Sequence, residues 1–167
     1  MYRHVLIPTD GSLLSGEAVR HGVELAAAIG ARVLFVTVSA PFHTVSLDVG
    51  QVEDTRDSYR AHVQERGARI LDEAGRVAAA AGVVFAVKHV EDDQPYRAII
   101  REAEEHGCDL IAMASHGRRG ISALVLGSET VKVLTHTAIP VLVYRAVELH
   151  GAQRSHEGQE LTGAADA

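Results

Sequence analysis

Residues 109–130 read D-L-I-A-M-A-S-H-G-R-R-G-I-S-A-L-V-L-G-S-E-T. After Asp109 come five uninterrupted apolar residues, Leu110 to Ala114, the pattern of a strand buried on both faces. Glycines follow at Gly117, Gly120 and Gly127, and Ser128 opens a segment with helical spacing. A strand running through a glycine loop into a helix N-terminus is a layout for anions. Glycine lets the backbone bend and approach a ligand with no side chain between, and the first helical N–H groups have no partner inside the helix. This points to nucleotide binding, against the plainer reading of a long surface loop that needs glycine only to turn.

Outward from this stretch, the chain alternates between two periods. Residues 3–9, 32–38 and 83–90, and a last strand ending at Val143, are β-branched and apolar, the form of parallel strands. Between the first two, a helix runs from Ser12 or Leu13 to Ile29. Ala18, Val19, Gly22, Val23 and Ala26 lie on one face, with Gly30 as its stop. Gly22 on that face implies close packing against a sheet. Residues 40–51, with Pro41, show no period and read as loop. From Asp54 to Ala81 apolar residues recur at Tyr59, Val63, Ile70, Ala74 and Val77, so an amphipathic helix is expected. Gly67 and Gly75 each cost it about 1 kcal/mol relative to alanine and force it to lean on tertiary packing or to bend. Pro95 suits the first turn of a further helix ending near Gly107, and Ser128 to about Thr137 forms the last. The sum is an α/β fold, a five-stranded parallel sheet flanked by helices. Residues 1–146 form one domain, and the polar stretch 147–167, without periodicity, is expected to be a mobile tail.

Composition narrows the partners. The chain has 167 residues, 47% hydrophobic, with 16 basic against 22 acidic side chains. That suffices for one sizeable core and argues against nucleic acid or an anionic membrane surface. No apolar run spans a bilayer and the N-terminus enters a strand at once, so a cytoplasmic protein is expected. The lone Cys108 reads as a small packing residue at a helix-to-strand turn. Ten histidines raise the question of metal, but none pair at ligand spacing, so no protein metal site is expected. A P-loop needs lysine between its last glycine and Ser/Thr, whereas Gly127 runs straight into Ser128. The dinucleotide fingerprint belongs at the first strand-to-helix turn, where Pro8-Thr9-Asp10-Gly11-Ser12 stands instead. A phospho-receiver needs an aspartate ending strand three, and Lys88-His89-Val90 has none.

Set against known families, the chain resembles the universal stress proteins, in their nucleotide-binding branch. The family loop is G-x-x-G, nine residues, then G-[S/T]; Ala114, Gly117, Gly127 and Ser128 fall on that spacing, with alanine in place of the first glycine. Pro8 to Ser12, the D-L-I-A-M-A strand and the closing Ile139-Pro140-Val141-Leu142-Val143 extend the likeness over Met1 to Arg145. The resemblance implies an open sheet of order 3-2-1-4-5, which would reverse winding between strands one and four and place both segments at one crevice. It implies ATP, or AMP or ADP, with magnesium or manganese accompanying the nucleotide. The site would comprise Pro8, Thr9, Asp10, Val38 against the base, Met113, Ala114, Ser115, His116, Gly117, Arg118, Gly127, Ser128, Glu129 and Thr130.

Several of these residues carry two readings. Asp10 is a ribose or adenine acceptor, or a turn residue in D-G-S. His116 donates to phosphate or orients the backbone. Arg118 and Arg119 neutralise phosphate or face solvent. No nucleophile with an adjacent base is legible, so a nucleotide-dependent switch or sensor is favoured. A slow ATPase and a ligand-free dimeric adaptor are the alternatives. In that strand order residues 139–144 form an apolar edge with no charge to discourage pairing, and a homodimer through this strand is expected.

Overall fold

The computed structural model describes residues 1–42, 49–115 and 126–145, with backbone only for 49–55. Nine elements alternate along it: β1 (His4–Pro8), α1 (Leu13–Ile29), β2 (Arg32–Ser39), α2 (Val49–Ala80), β3 (Phe85–Glu91), α3 (Pro95–Glu105), β4 (Leu110–Ala114), α4 (Ser128–His136) and β5 (Val141–Tyr144). The five strands form one parallel sheet ordered β3-β2-β1-β4-β5. That order matches the one implied by the family resemblance. The residues expected in the tail, 147–167, lie outside those described.

Period-two alternation along the central strands splits the core in two. Val5, Ile7, Val33 and Phe35 face α1 and α2, while Leu6, Leu34, Val36 and Ile111 face α3 and α4. Because both faces are covered, β1 and β4 read as unbroken apolar runs.

α1 follows its sequence signals closely. Ser12 caps it, its hydroxyl accepting the Ser15 N–H at 3.2 Å. At the other end Gly30 takes φ 69°, and the Ala31 and Gly30 amides close back on the carbonyls of Ala26 and Ala27. The buried face is Ala18, Val19, Gly22, Val23 and Ala26, joined by Ser15. A Cβ on Gly22 would lie 2.6 Å from Ile7 Cδ1, so glycine here sets the helix-to-sheet distance. Gly22→Ala should lower stability by about 1 kcal/mol, since overpacking costs about 1–3 and helix propensity returns about 1. The urea midpoint measures this.

α2 departs from expectation at two points. It begins at Val49, inside the stretch read as loop and ahead of the first residue of the apolar period; Arg56, Asp57 and Ser58 are exposed and add nothing to that period. Helix here propagates from the packed C-terminal part. Its buried line is Gly67, Leu71, Ala74, Gly75 and Ala78, while Tyr59, Val63, Ile70 and Val77 are half-buried flanks. Side chains from β3 explain the shift. A Cβ on Gly67 would lie 2.8 Å from the His89 ring, and one on Gly75 would lie 2.8 Å from Phe85. The two glycines are notches for β3 rings. β3 itself begins at Phe85, two residues later than its apolar run, because Gly82 (φ 68°) and Val83 are used in closing α2.

At the amino ends of the strands, Asp109 accepts the amides of Arg3 and His4 at 2.9–3.1 Å, locking β1 to β4. Beside it Cys108 is buried, and burial pushes its thiol up to about 12. With almost no thiolate at neutral pH, Cys108 should resist iodoacetamide in the native protein and react only after urea unfolding. Alkylation of the folded chain at the rate of a free thiol would contradict this. Among the described residues no helix is long and apolar enough to cross a membrane.

Candidate functional site

Sheet topology fixes where a site can form. β1 leads to β2 on one side, while β4 and β5 are added on the other, so winding reverses between β1 and β4. The ladder opens at that point. β1 pairs with β2 as far as Pro8↔Val36, and β4 pairs with β5 as far as Ala114↔Tyr144. Between β1 and β4, pairing covers only Val5↔Leu110 and Leu6↔Ile111. Towards their carboxyl ends the two strands are therefore not paired, and the ends that carry Pro8-Thr9-Asp10 and Ala114-Ser115 flank the position where the fold rule puts a crevice.

One wall is built by the turn into α1. The Thr9 amide donates to Val36 O at 2.9 Å, and its hydroxyl lies 3.2 Å from Ser15 Oγ. Asp10 Oδ1 accepts the Ser12 N–H at 3.0 Å, so the turn reading of Asp10 is realised. A carboxylate oxygen accepts more than one hydrogen bond, and this role leaves a ligand role open. Gly11 follows at φ 75°, and a Cβ there would sit 2.9 Å from Ile70 Cγ1 of α2. Only glycine fits, because both the backbone and the space require it.

The floor comes from β2. Since Val36 O faces β1, strand alternation turns the N–H and C=O of Val38 the same way, past the point where β1 has ended. A donor and an acceptor side by side at a strand end suit the edge of a base. Ser39, next along, accepts the Asp92 amide of the β3 side.

The opposite wall joins β4 to α4. The Thr130 hydroxyl, buried, donates to Ala114 O at 3.0 Å. The Gly127 amide donates to Ser115 O at 2.7 Å, and the Ser115 amide donates to Tyr144 O at 2.7 Å. Ser115 is thus the knot at which β4, β5 and the start of α4 meet, and with Gly127 it forms a neck between β4 and α4. α4 begins at Ser128 with Gly127 at its cap, so its first-turn amides, which have no partner inside the helix, lie beside the crevice. Ala114, where the family pattern has glycine, is the last residue of β4 in extended backbone, which alanine adopts freely.

The sequence-derived residues divide accordingly. Pro8, Thr9, Asp10, Val38, Met113, Ala114, Ser115, Gly127, Ser128 and Thr130 come together at the carboxyl end of the sheet. His116, Gly117 and Arg118, with Arg119, lie outside the described residues. Met113 is buried in the α3/α4 core and helps by packing. Glu129 turns away: its carboxylate accepts the Tyr96 amide at 2.9 Å and pairs with Lys132 at 2.8 Å. α3 has no side-chain cap of its own at Gln94, and Glu129 supplies the missing acceptor. Ser15, whose hydroxyl bonds Thr9 and Ser12, was not foreseen; its only sequence signal is its place three residues after the cap.

The universal stress protein family profile matches residues 1–145. The chain belongs to the universal stress protein family. Universal stress protein YxiE of Bacillus subtilis is 33% identical over 149 residues, covering 87% of this chain and all of that protein. Universal stress protein MJ0531 of Methanocaldococcus jannaschii is 31% identical over 147 residues, covering 87% and 83%. A solved universal stress protein in complex with cAMP superposes with a TM-score of 0.61 at 27% identity, covering 86% of this chain and 97% of its own.

Proposed function

We propose that this universal stress protein binds an adenine nucleotide in the crevice between β1 and β4 and serves as a nucleotide-dependent stress-response switch or sensor. The early end of pairing between β1 and β4, at the point of reversal and beside the N-terminus of α4, carries the reading. The relative that holds cAMP supports the same ligand class. In this reading the Val38 backbone takes the base edge, Asp10 accepts from the ribose, and the Ser128 and Glu129 amides hold phosphate. His116, Gly117 and Arg118 would complete the loop side. The nucleotide is ATP, AMP or ADP, and a magnesium or manganese ion arrives with the phosphates rather than on a protein site. Ligand seated at the neck would set the surface that the following residues offer to partner proteins. Equilibrium dialysis of the full chain with ATP and Mg²⁺ tests this. Saturable binding is expected, and its absence at millimolar ligand would defeat the reading.

The chain also pairs with a second copy along β5. Among the described residues that strand pairs only with β4, which puts Val141–Tyr144 at the sheet edge with Leu142 exposed. Beside it, at the amino ends of the strands and away from the crevice, lies an apolar groove of about 420 Å³ lined by Met1, Tyr2, Leu25, Ile29, Pro140 and Leu142. A dimer is expected in sedimentation at micromolar concentration, with Leu142→Glu shifting it to monomer. A wild-type monomer would count against the pairing.

A further inference from the structure

We propose that the stacking of His21 on Tyr144 braces the neck formed by Ser115 and Gly127, making both side chains positioning residues for the nucleotide site; this rests on the ligand reading above. The argument begins at Ser115. Its amide donates to Tyr144 O and its carbonyl accepts the Gly127 amide, each at 2.7 Å. Whatever fixes Tyr144 therefore fixes the neck. β5 alone does so poorly, because it has four residues, lies at the sheet edge and ends at Tyr144.

The ring supplies the missing constraint. Tyr144 crosses to α1 and stacks on His21 with centroids 5.4 Å apart and planes 17° from parallel. It also packs against the core beneath α1. His21 is itself held on the helix surface: Nδ1 lies 3.2 Å from Glu24 Oε2, Nε2 lies 2.9 Å from an Arg20 nitrogen, and Glu17 stands 3.8 Å away. Arg20 in turn bridges Glu17 and Glu24. α1 starts two residues after Gly11, in the turn that carries Asp10. One helix thus bears on both walls of the crevice, through its first turn on the β1 side and through His21 and Tyr144 on the β4 side.

The stack needs rings, not the tyrosine hydroxyl, and this makes the brace separable from general stability. Two readouts on the full chain test it: hydrogen exchange of the Ser115 and Gly127 amides without nucleotide, and ATP affinity by titration calorimetry. Tyr144→Ala and His21→Ala should speed exchange at both amides about three- to tenfold and weaken ATP by a similar factor, the range an aromatic pair supports. Tyr144→Phe and His21→Phe should restore both. Val33→Ala, which loosens the core at the far end of β2, should lower the urea midpoint and leave both readouts unchanged. Should Tyr144→Ala fail to fold, His21→Ala, on the exposed face of α1, carries the test alone. Unchanged exchange in the alanine variants, or equal acceleration in Val33→Ala, overturns the brace. Faster exchange in a protein that binds no nucleotide upholds the brace and removes the ligand reading instead.

Discussion

Replacing Phe35 by alanine is expected to lower stability by about 3–5 kcal/mol, a large share of the roughly 5–15 kcal/mol that holds a domain together. Phe35 has no exposed surface and sits mid-strand on β2, between Ile7 of β1 and Val87 of β3. Its ring meets Phe85 at 6.0 Å and 58°, and Phe85 in turn fills the notch at Gly75 of α2. Truncation removes the buried ring, leaves a void and deprives Phe85 of its partner. The cost depends on whether Phe85 moves inward, since cavities that collapse cost less. Urea denaturation followed by circular dichroism measures it. Phe85→Ala should cost less, because that ring is 39% exposed at an edge. A loss under about 1 kcal/mol for Phe35→Ala would mean that the α1/α2 core is not packed as described.

Thr130→Val is expected to act on stability and ligand together. Valine keeps the shape of threonine but leaves Ala114 O, buried at the end of β4, without the donor it has at 3.0 Å. An orphaned buried carbonyl costs about 1–3 kcal/mol. The same bond fixes the start of α4 against β4, so ATP affinity should fall about tenfold, equivalent to about 1.4 kcal/mol. Thr130→Ser keeps a donor and should restore both. Calorimetric titration beside a denaturation curve separates the outcomes: stability lost with affinity intact would assign Thr130 to the fold alone.

What the sequence made legible is what local chemistry dictates. α1 is an example, because Ser12, Gly30 and the spacing of Ala18, Val19, Gly22, Val23 and Ala26 are all read within one segment. Strand order is not of that kind; alternation implies a parallel sheet, and only the family likeness supplied 3-2-1-4-5. Gly67 and Gly75 looked like weaknesses of α2 because the rings that need them, His89 and Phe85, lie in another element. Glu129 entered the site by its place in the family loop, and nothing local told that its carboxylate would accept the uncapped amide of Tyr96. Asp10 had two readings, and its bond to the Ser12 amide realises the turn without removing the other. In each case the deciding partner is distant in sequence or depends on how the chain turns.

The knot at Ser115 has a consequence for how such a protein changes over generations. Because Gly127 returns to Ser115, chain inserted or exchanged between them begins and ends at the same anchor, and lengthening it adds only a slowly growing closure entropy. The residues in that interval can then drift by substitution or graft while the scaffold keeps its fold, and with them whatever that interval recognises.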